Sequence, residues 1–283
     1  MIRTIQRMVH GEAGVDGAGV HLKHVLNHST VKDADPLLLL DAFDSKDPED
    51  YVAGFPMHPH RGIETISYVV EGTMVHRDSL GNEDAVSDGG VQWMTAGSGI
   101  FHEEMIPPAD HLFGVQLWLN LKKKDKFAPP AYVAIPSEDI QDIPFDGGYL
   151  RLLAGRYEGH EGHLSAYQPL DYYDVHIEPG KQFRTKVDNK ASATLFALLG
   201  SPTVQGEAVT PFEAAILTEG DEIVIDNDTD EVISVLVFIS EPVEEPVAWW
   251  GPIVMNTEKE LEEAFEEMRK GTFVKEEITM SRE

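Results

Sequence analysis

Two short motifs, His58-Pro59-His60 and, about forty residues later, His102-Glu103-Glu104, constrain the folding of this 283-residue chain more than any other feature. Each pair skips one residue. Successive side chains on a β-strand point to opposite faces, so on strands both members of a pair face the same way. Two such strands laid against each other bring three imidazoles and one carboxylate to a common point. The expected metal ligands are therefore His58, His60, His102 and Glu104. Nitrogen and oxygen donors without a thiolate suit a divalent iron, manganese, nickel, copper or cobalt ion better than a structural zinc site.

The chain contains 12 histidines, enough for an accidental His-x-His in roughly one of every two such sequences. The second motif carries the weight because of its setting. In Gly97-Ser98-Gly99-Ile100-Phe101-His102 a glycine-rich turn feeds a short apolar segment that bears the histidine.

Val, Ile, Thr, Tyr and Phe recur in short runs between clusters of Gly, Pro and Asp, which predicts many short strands and almost no helix before the tail. In the first half, strand-like segments at 37–40, 63–70, 91–94 and 114–121 are punctuated by Gly72, Gly81-Asn82, Gly89-Gly90 and Gly97 to Gly99. That spacing predicts a barrel or sandwich. The run 122–126, four lysines and an aspartate, followed by Pro129-Pro130, reads as a connector. A second strand-rich region follows over 149–240, and the length fits two domains of roughly 130 to 150 residues.

Several other histidines read differently. His160 and His163 lie in a glycine-bearing loop and are expected at the surface. His21, His24 and His28 would share a face only on a helix, whereas their segment alternates like a strand and points His21 and His24 apart. In the tail, Thr257 and Glu260 have capping-box spacing, and Leu261, Ala264, Phe265 and Met268 form one apolar helical face that docks on its own protein.

The net charge of −28, from 50 acidic and 22 basic residues, opposes approach to a phosphate backbone or an anionic leaflet. Neither nucleic acid nor membrane is expected as a direct partner. Cysteine is absent, which removes disulfides, thiolate metal sites and cysteine nucleophiles together. With no apolar leader near Met1 and no apolar run long enough to span a bilayer, a cytoplasmic protein is expected.

The segments 55–65, Phe-Pro-Met-His-Pro-His-Arg-Gly-Ile-Glu-Thr, and 92–105, Gln-Trp-Met-Thr-Ala-Gly-Ser-Gly-Ile-Phe-His-Glu-Glu-Met, resemble the two signature segments of the pirin family of cupins. The tail segment 251–257 is similar to that family as well. The resemblance implies an all-β bicupin: two facing antiparallel β-barrels of jelly-roll type with a C-terminal helix. It implies a metal-bearing cupin over 1–131 and a metal-free cupin plus the helix over 132–283. One ion is implied, commonly Fe(II), with Mn, Ni, Cu, Co and Zn as other candidates, held by His58, His60, His102 and Glu104. The general cupin pattern would instead nominate Glu64, which is read as a pocket carboxylate beside the site.

Some members of the family show quercetin 2,3-dioxygenase activity, and the animal member is described as a nuclear transcription cofactor whose iron state matters. Two functions are thus implied. One is a metal-dependent dioxygenase for a flavonol-like substrate, with Glu104 as catalytic base and dioxygen as co-substrate. The other is a non-catalytic, iron-binding redox sensor acting through protein partners. Phe55, Met57, Met94, Phe101 and Trp118 are the apolar pocket candidates.

Overall fold

The β-branched and aromatic runs fold as antiparallel strands, and the computed structural model describes residues 1–276. Among these residues the one α-helix is Glu258–Lys270. The chain divides into two compact units, each discontinuous in sequence. The unit that carries the motifs comprises Ala13–His24, Leu37–Ser137 and the chain from Val243 onward. The other comprises Met1–Glu12, Val25–Pro36 and Glu138–Pro242.

This grouping differs from a linear division at 131/132, and pairing explains why. The first strand, Ile5–His10, adds to the edge of the other unit's sheet, with Met8 opposite Ala215. The tail returns to the motif-bearing unit, where Arg61 bridges Ile253 and the helix packs on the hairpin Ala248–Trp250/Ile253–Met255. The C-terminal helix therefore belongs with the metal motifs, not with the second half of the sequence.

In the motif-bearing unit, a seven-stranded sheet runs in the order Ala131–Ile135, Gly90–Thr95, Ile63–Glu71, Leu112–Asn120, Leu37–Ser45, Val20–Leu26, Glu12–Asp16. A four-stranded sheet follows the order Phe55–His60, Ile100–Met105, Thr73–Asp78, Glu83–Ser87. Phe43, Tyr51, Val69, Met74, Ile106 and Leu112 are buried in one core cluster of this unit. In the other unit, Leu150, Val175, Phe183, Leu195, Ile225 and Val237 form the corresponding core.

Val20–Leu26 is a strand, as its alternation predicts, and His21 and His24 pair separately with Asp50 and Asp41 at 3.0 and 2.8 Å. At the tail, Thr257 Oγ1 accepts the Glu260 N–H at 3.2 Å and the Glu260 carboxylate reaches back to the Asn256 N–H at 3.1 Å. Leu261 and Ala264 are buried, and Phe265 and Met268 pack against their cluster. Gly62 shows how tightly the tail seats beside the first motif. Its φ is +80°, and a Cβ there would stand 2.0 Å from the Val254 carbonyl oxygen. Only glycine fits.

Lys126, in the expected connector, is fully buried. Its ammonium donates to Gly62 O at 2.8 Å and Asn120 Oδ1 at 2.6 Å. Burial lowers its pKa to about 7, against the pull of Glu245 and Glu260. An unfolded chain keeps that proton up to about pH 10.5, so the unfolded state binds more protons between about pH 7 and 10.5 and stability rises with pH across that window. Urea unfolding at pH 7 and pH 9 should show this contribution as roughly 2 kcal/mol. Lys126→Met should lack it, and equal pH slopes in the two proteins would refute the assignment.

Candidate metal centre

The two motifs form neighbouring antiparallel strands, with His102 directly opposite His58 and Ile100 opposite His60. His60 lies on the same strand face as His58, two residues along, so three rings gather. Their centroids are 4.4 Å apart for His58–His102, 4.8 Å for His58–His60 and 5.0 Å for His60–His102. One ring nitrogen from each lies within 4.8 Å of the others.

The hydrogen bonds decide which nitrogens face inward. His58 Nδ1 is 2.9 Å from Pro56 O, and His60 Nδ1 is 3.2 Å from Pro252 O. A carbonyl only accepts, so each Nδ1 carries its ring's proton and each Nε2 presents a lone pair. Those two Nε2 atoms stand 3.0 Å apart. His102 Nε2 is buried and has no hydrogen-bond partner. Burial, then the neighbouring His58, push the His60 pKa well below the usual imidazole range, with the Pro252 carbonyl opposing. Burial and the adjacent imidazoles do the same to His102. Imidazoles that turn their lone pairs to a common point have the ligand form of histidine.

A cation relieves this arrangement. Two imidazole nitrogens bound side by side to one ion at about 2.1 Å lie roughly 3 Å apart, and each remaining N–H already has the acceptor that fixes ring orientation in metal sites. The three histidines thus fit an ion. Glu104 is not in the three-histidine cluster. It follows a bulge between His102 and Glu104 and is buried. Its carboxylate accepts from Gln92 Nε2, from Gln116 Nε2 at 2.9 and 3.1 Å, and from Ser67 Oγ at 3.4 Å. Glu64, also buried, accepts from Thr95 Oγ1 at 2.7 Å.

Of the five apolar pocket candidates, Trp118 stands against the cluster, its ring edge-on to His60 at 4.9 Å. Trp249 from the tail hairpin lies 5.8 Å from Trp118. The other four are placed differently. Phe55 packs on Phe43 in the core and Phe101 on Phe273, because their side chains leave the strand on other faces. Met57 is 39% exposed, and Met94 is buried in its sheet opposite Thr65 and Tyr132.

The sequence reading missed three contributors: the Pro252 carbonyl, the glutamines on Glu104, and a buried pair, His76 and Asp78. His76 Nε2 is 3.0 Å from Asp78 Oδ2, and His76 Nδ1 is 3.4 Å from His102 Nδ1. The His76-x-Asp78 spacing is itself a same-face strand signal of the kind that marked the two motifs. Burial would raise the Asp78 pKa, yet hydrogen bonds from His76, Asn82 and the Leu80 backbone hold it below the usual carboxylate range.

The chain matches the pirin family over residues 19–119 and the pirin C-terminal cupin domain over residues 172–274. A pirin-like protein of Caulobacter vibrioides is 37% identical over 278 residues, covering 96% of this chain and 99% of that protein. Human pirin is 32% identical over 259 residues, covering 90% and 88%. Among solved structures, a quercetin 2,3-dioxygenase from Acinetobacter baumannii superposes with a TM-score of 0.88 at 32% identity, covering 96% of this chain and 99% of that one. No described helix is long and apolar enough to cross a membrane. Matched over both halves and carrying a three-histidine cluster on the paired motif strands, the chain belongs to the pirin family and has its mostly-β bicupin fold.

Proposed function

We propose that His58, His60 and His102, with Glu104 as fourth ligand, hold one divalent ion, Fe(II) foremost, and that the protein opens the ring of quercetin or a similar flavonol with dioxygen. The observation that carries this reading is the convergence of three imidazole nitrogens on one point, with His102 Nε2 buried and without a partner. Likeness to the Acinetobacter quercetin 2,3-dioxygenase supports the reaction class.

A bound ion supplies positive charge that stabilises a deprotonated substrate oxygen and favours reaction with dioxygen. The chain does the rest. His60 and His102 are sealed from water, whereas His58 is half-buried, so a substrate approaches along the His58 side. The Trp118 indole, edge-on to His60, supplies an apolar wall for a planar aromatic ring. Glu104 accepts the substrate hydroxyl proton, and Gln92 and Gln116 hold its carboxylate in place for that transfer.

The metal-loaded protein should consume dioxygen and release carbon monoxide on addition of quercetin. Glu104→Gln should retain the ion more weakly and lose turnover by roughly 100-fold or more, the scale of a lost general base. A loaded wild type that consumes no dioxygen with any of several flavonols would remove the dioxygenase reading.

A further inference from the structure

We infer that His76 and Asp78 form a hydrogen-bonded relay with His102 that keeps the His102 proton on Nδ1 and leaves Nε2 free for the centre, which makes both of them positioning residues for the metal. The inference rests on reading the three-histidine cluster as a metal site.

Register places the relay. The strand Thr73–Asp78 pairs with Ile100–Met105 so that Asp78 lies opposite His102 and His76 opposite Glu104. Both relay residues are fully buried. His76 is held flat against Tyr132, with ring centroids 3.9 Å apart and planes 9° from parallel, so its ring cannot swing to exchange nitrogens without breaking that stack.

The proton positions follow by elimination. Asp78 Oδ2 stands 3.0 Å from His76 Nε2 and also receives Asn82 Nδ2 at 2.7 Å, while Oδ1 receives the backbone N–H groups of Leu80 at 2.9 Å and Asn82 at 3.1 Å. A carboxylate surrounded by donors accepts from His76 as well, so His76 carries its proton on Nε2. The relay takes His76 as the singly protonated ring, which leaves its Nδ1 an acceptor. That nitrogen faces His102 Nδ1 at 3.4 Å, so the proton between them belongs to His102. His102 Nε2 is left with its lone pair, and that is the buried atom without a partner. Carbonyls fix the tautomers of His58 and His60; this relay fixes His102.

Asp78→Asn turns the relay around while keeping the shape. The backbone N–H groups of Leu80 and Asn82 require an acceptor at the Oδ1 position, so the new amide presents its NH2 to His76 and to Asn82, whose side-chain amide turns its oxygen toward it. His76 must then accept on Nε2 and donate from Nδ1, and His102 must accept on Nδ1 and carry its proton on Nε2. That proton occupies the lone pair a metal needs.

The test uses the full metal-free chain. Nitrogen-15 NMR of the histidine side chains should show His102 protonated at Nδ1 in wild type and at Nε2 in Asp78→Asn. Co(II) titration against a chromophoric chelator should show the variant binding roughly 10- to 100-fold more weakly, the usual effect of losing a residue that orients a ligand. Circular dichroism checks that the variant is folded. If it is not, the wild-type NMR spectrum decides alone: a His102 protonated at Nε2 overturns the relay. A folded variant with wild-type Co(II) affinity overturns it too. Failure of wild type itself to bind Co(II) would sink the metal reading, and the tautomer assignment would still judge the relay.

Discussion

Alanine at position 102 should abolish metal retention. Freshly purified wild type is expected to carry close to one ion per chain, Fe(II) foremost, and His102→Ala essentially none. His102 is sealed from solvent, its centroid lies 4.4 and 5.0 Å from the other two rings, and its inward nitrogen has no other partner. Spread over the three histidines and the Glu104 proposed as ligands, the free energy of a tight protein site corresponds to a loss of roughly two to three orders of magnitude in affinity per ligand removed. His58→Ala should lose less, because His58 is half-buried and water can take its place. Elemental analysis and calorimetric titration of the three proteins measure this directly. Full occupancy and unchanged affinity in His102→Ala would mean that the cluster does not hold the ion.

The second large effect is on stability and centres on Arg61, the residue after His60. Its side chain is 2% exposed. Nε donates to Ser98 O at 2.7 Å, Nη2 to Phe273 O at 2.7 Å, and Nη2 pairs with Glu267 at 2.8 Å. The guanidinium also lies 4.2 Å from the centre of the Phe273 ring. One side chain thus ties the first motif to the turn before the second and to the end of the tail helix. Burial lowers the Arg61 pKa, and Glu267 opposes that shift, so the pair keeps the charge in place. Arg61→Ala strands buried acceptors and opens a cavity; the expected cost is about 3 to 5 kcal/mol. Urea unfolding would give the value, and limited proteolysis should cut the variant first near residues 257–276. A loss below about 1 kcal/mol would show that the tie contributes no more than a surface ion pair.

The sequence made much of the centre legible because strand alternation is strict. An x between two histidines places both on one face, and apposition of the two motifs then follows from antiparallel pairing. The positions of His58, His60 and His102 were readable on that basis. Trp118 was nominated on composition, as were Phe55, Met57, Met94 and Phe101, and composition does not say which face a side chain leaves from. The Pro252 carbonyl was illegible in principle, since every residue offers such an oxygen and only the fold selects one. His76 and Asp78 were legible, by the same i, i+2 rule that revealed the motifs. The division into units was not, because the first strand and the tail each join a partner more than a hundred residues away.

The Pro252 carbonyl that orients His60 lies 192 residues further along the chain. During synthesis both motifs leave the ribosome long before that oxygen exists, so His60 gains this hydrogen bond only after residue 252 has emerged. A chain truncated before residue 252 should therefore hold Co(II) more weakly than the full chain, since the acceptor that fixes His60 would be missing.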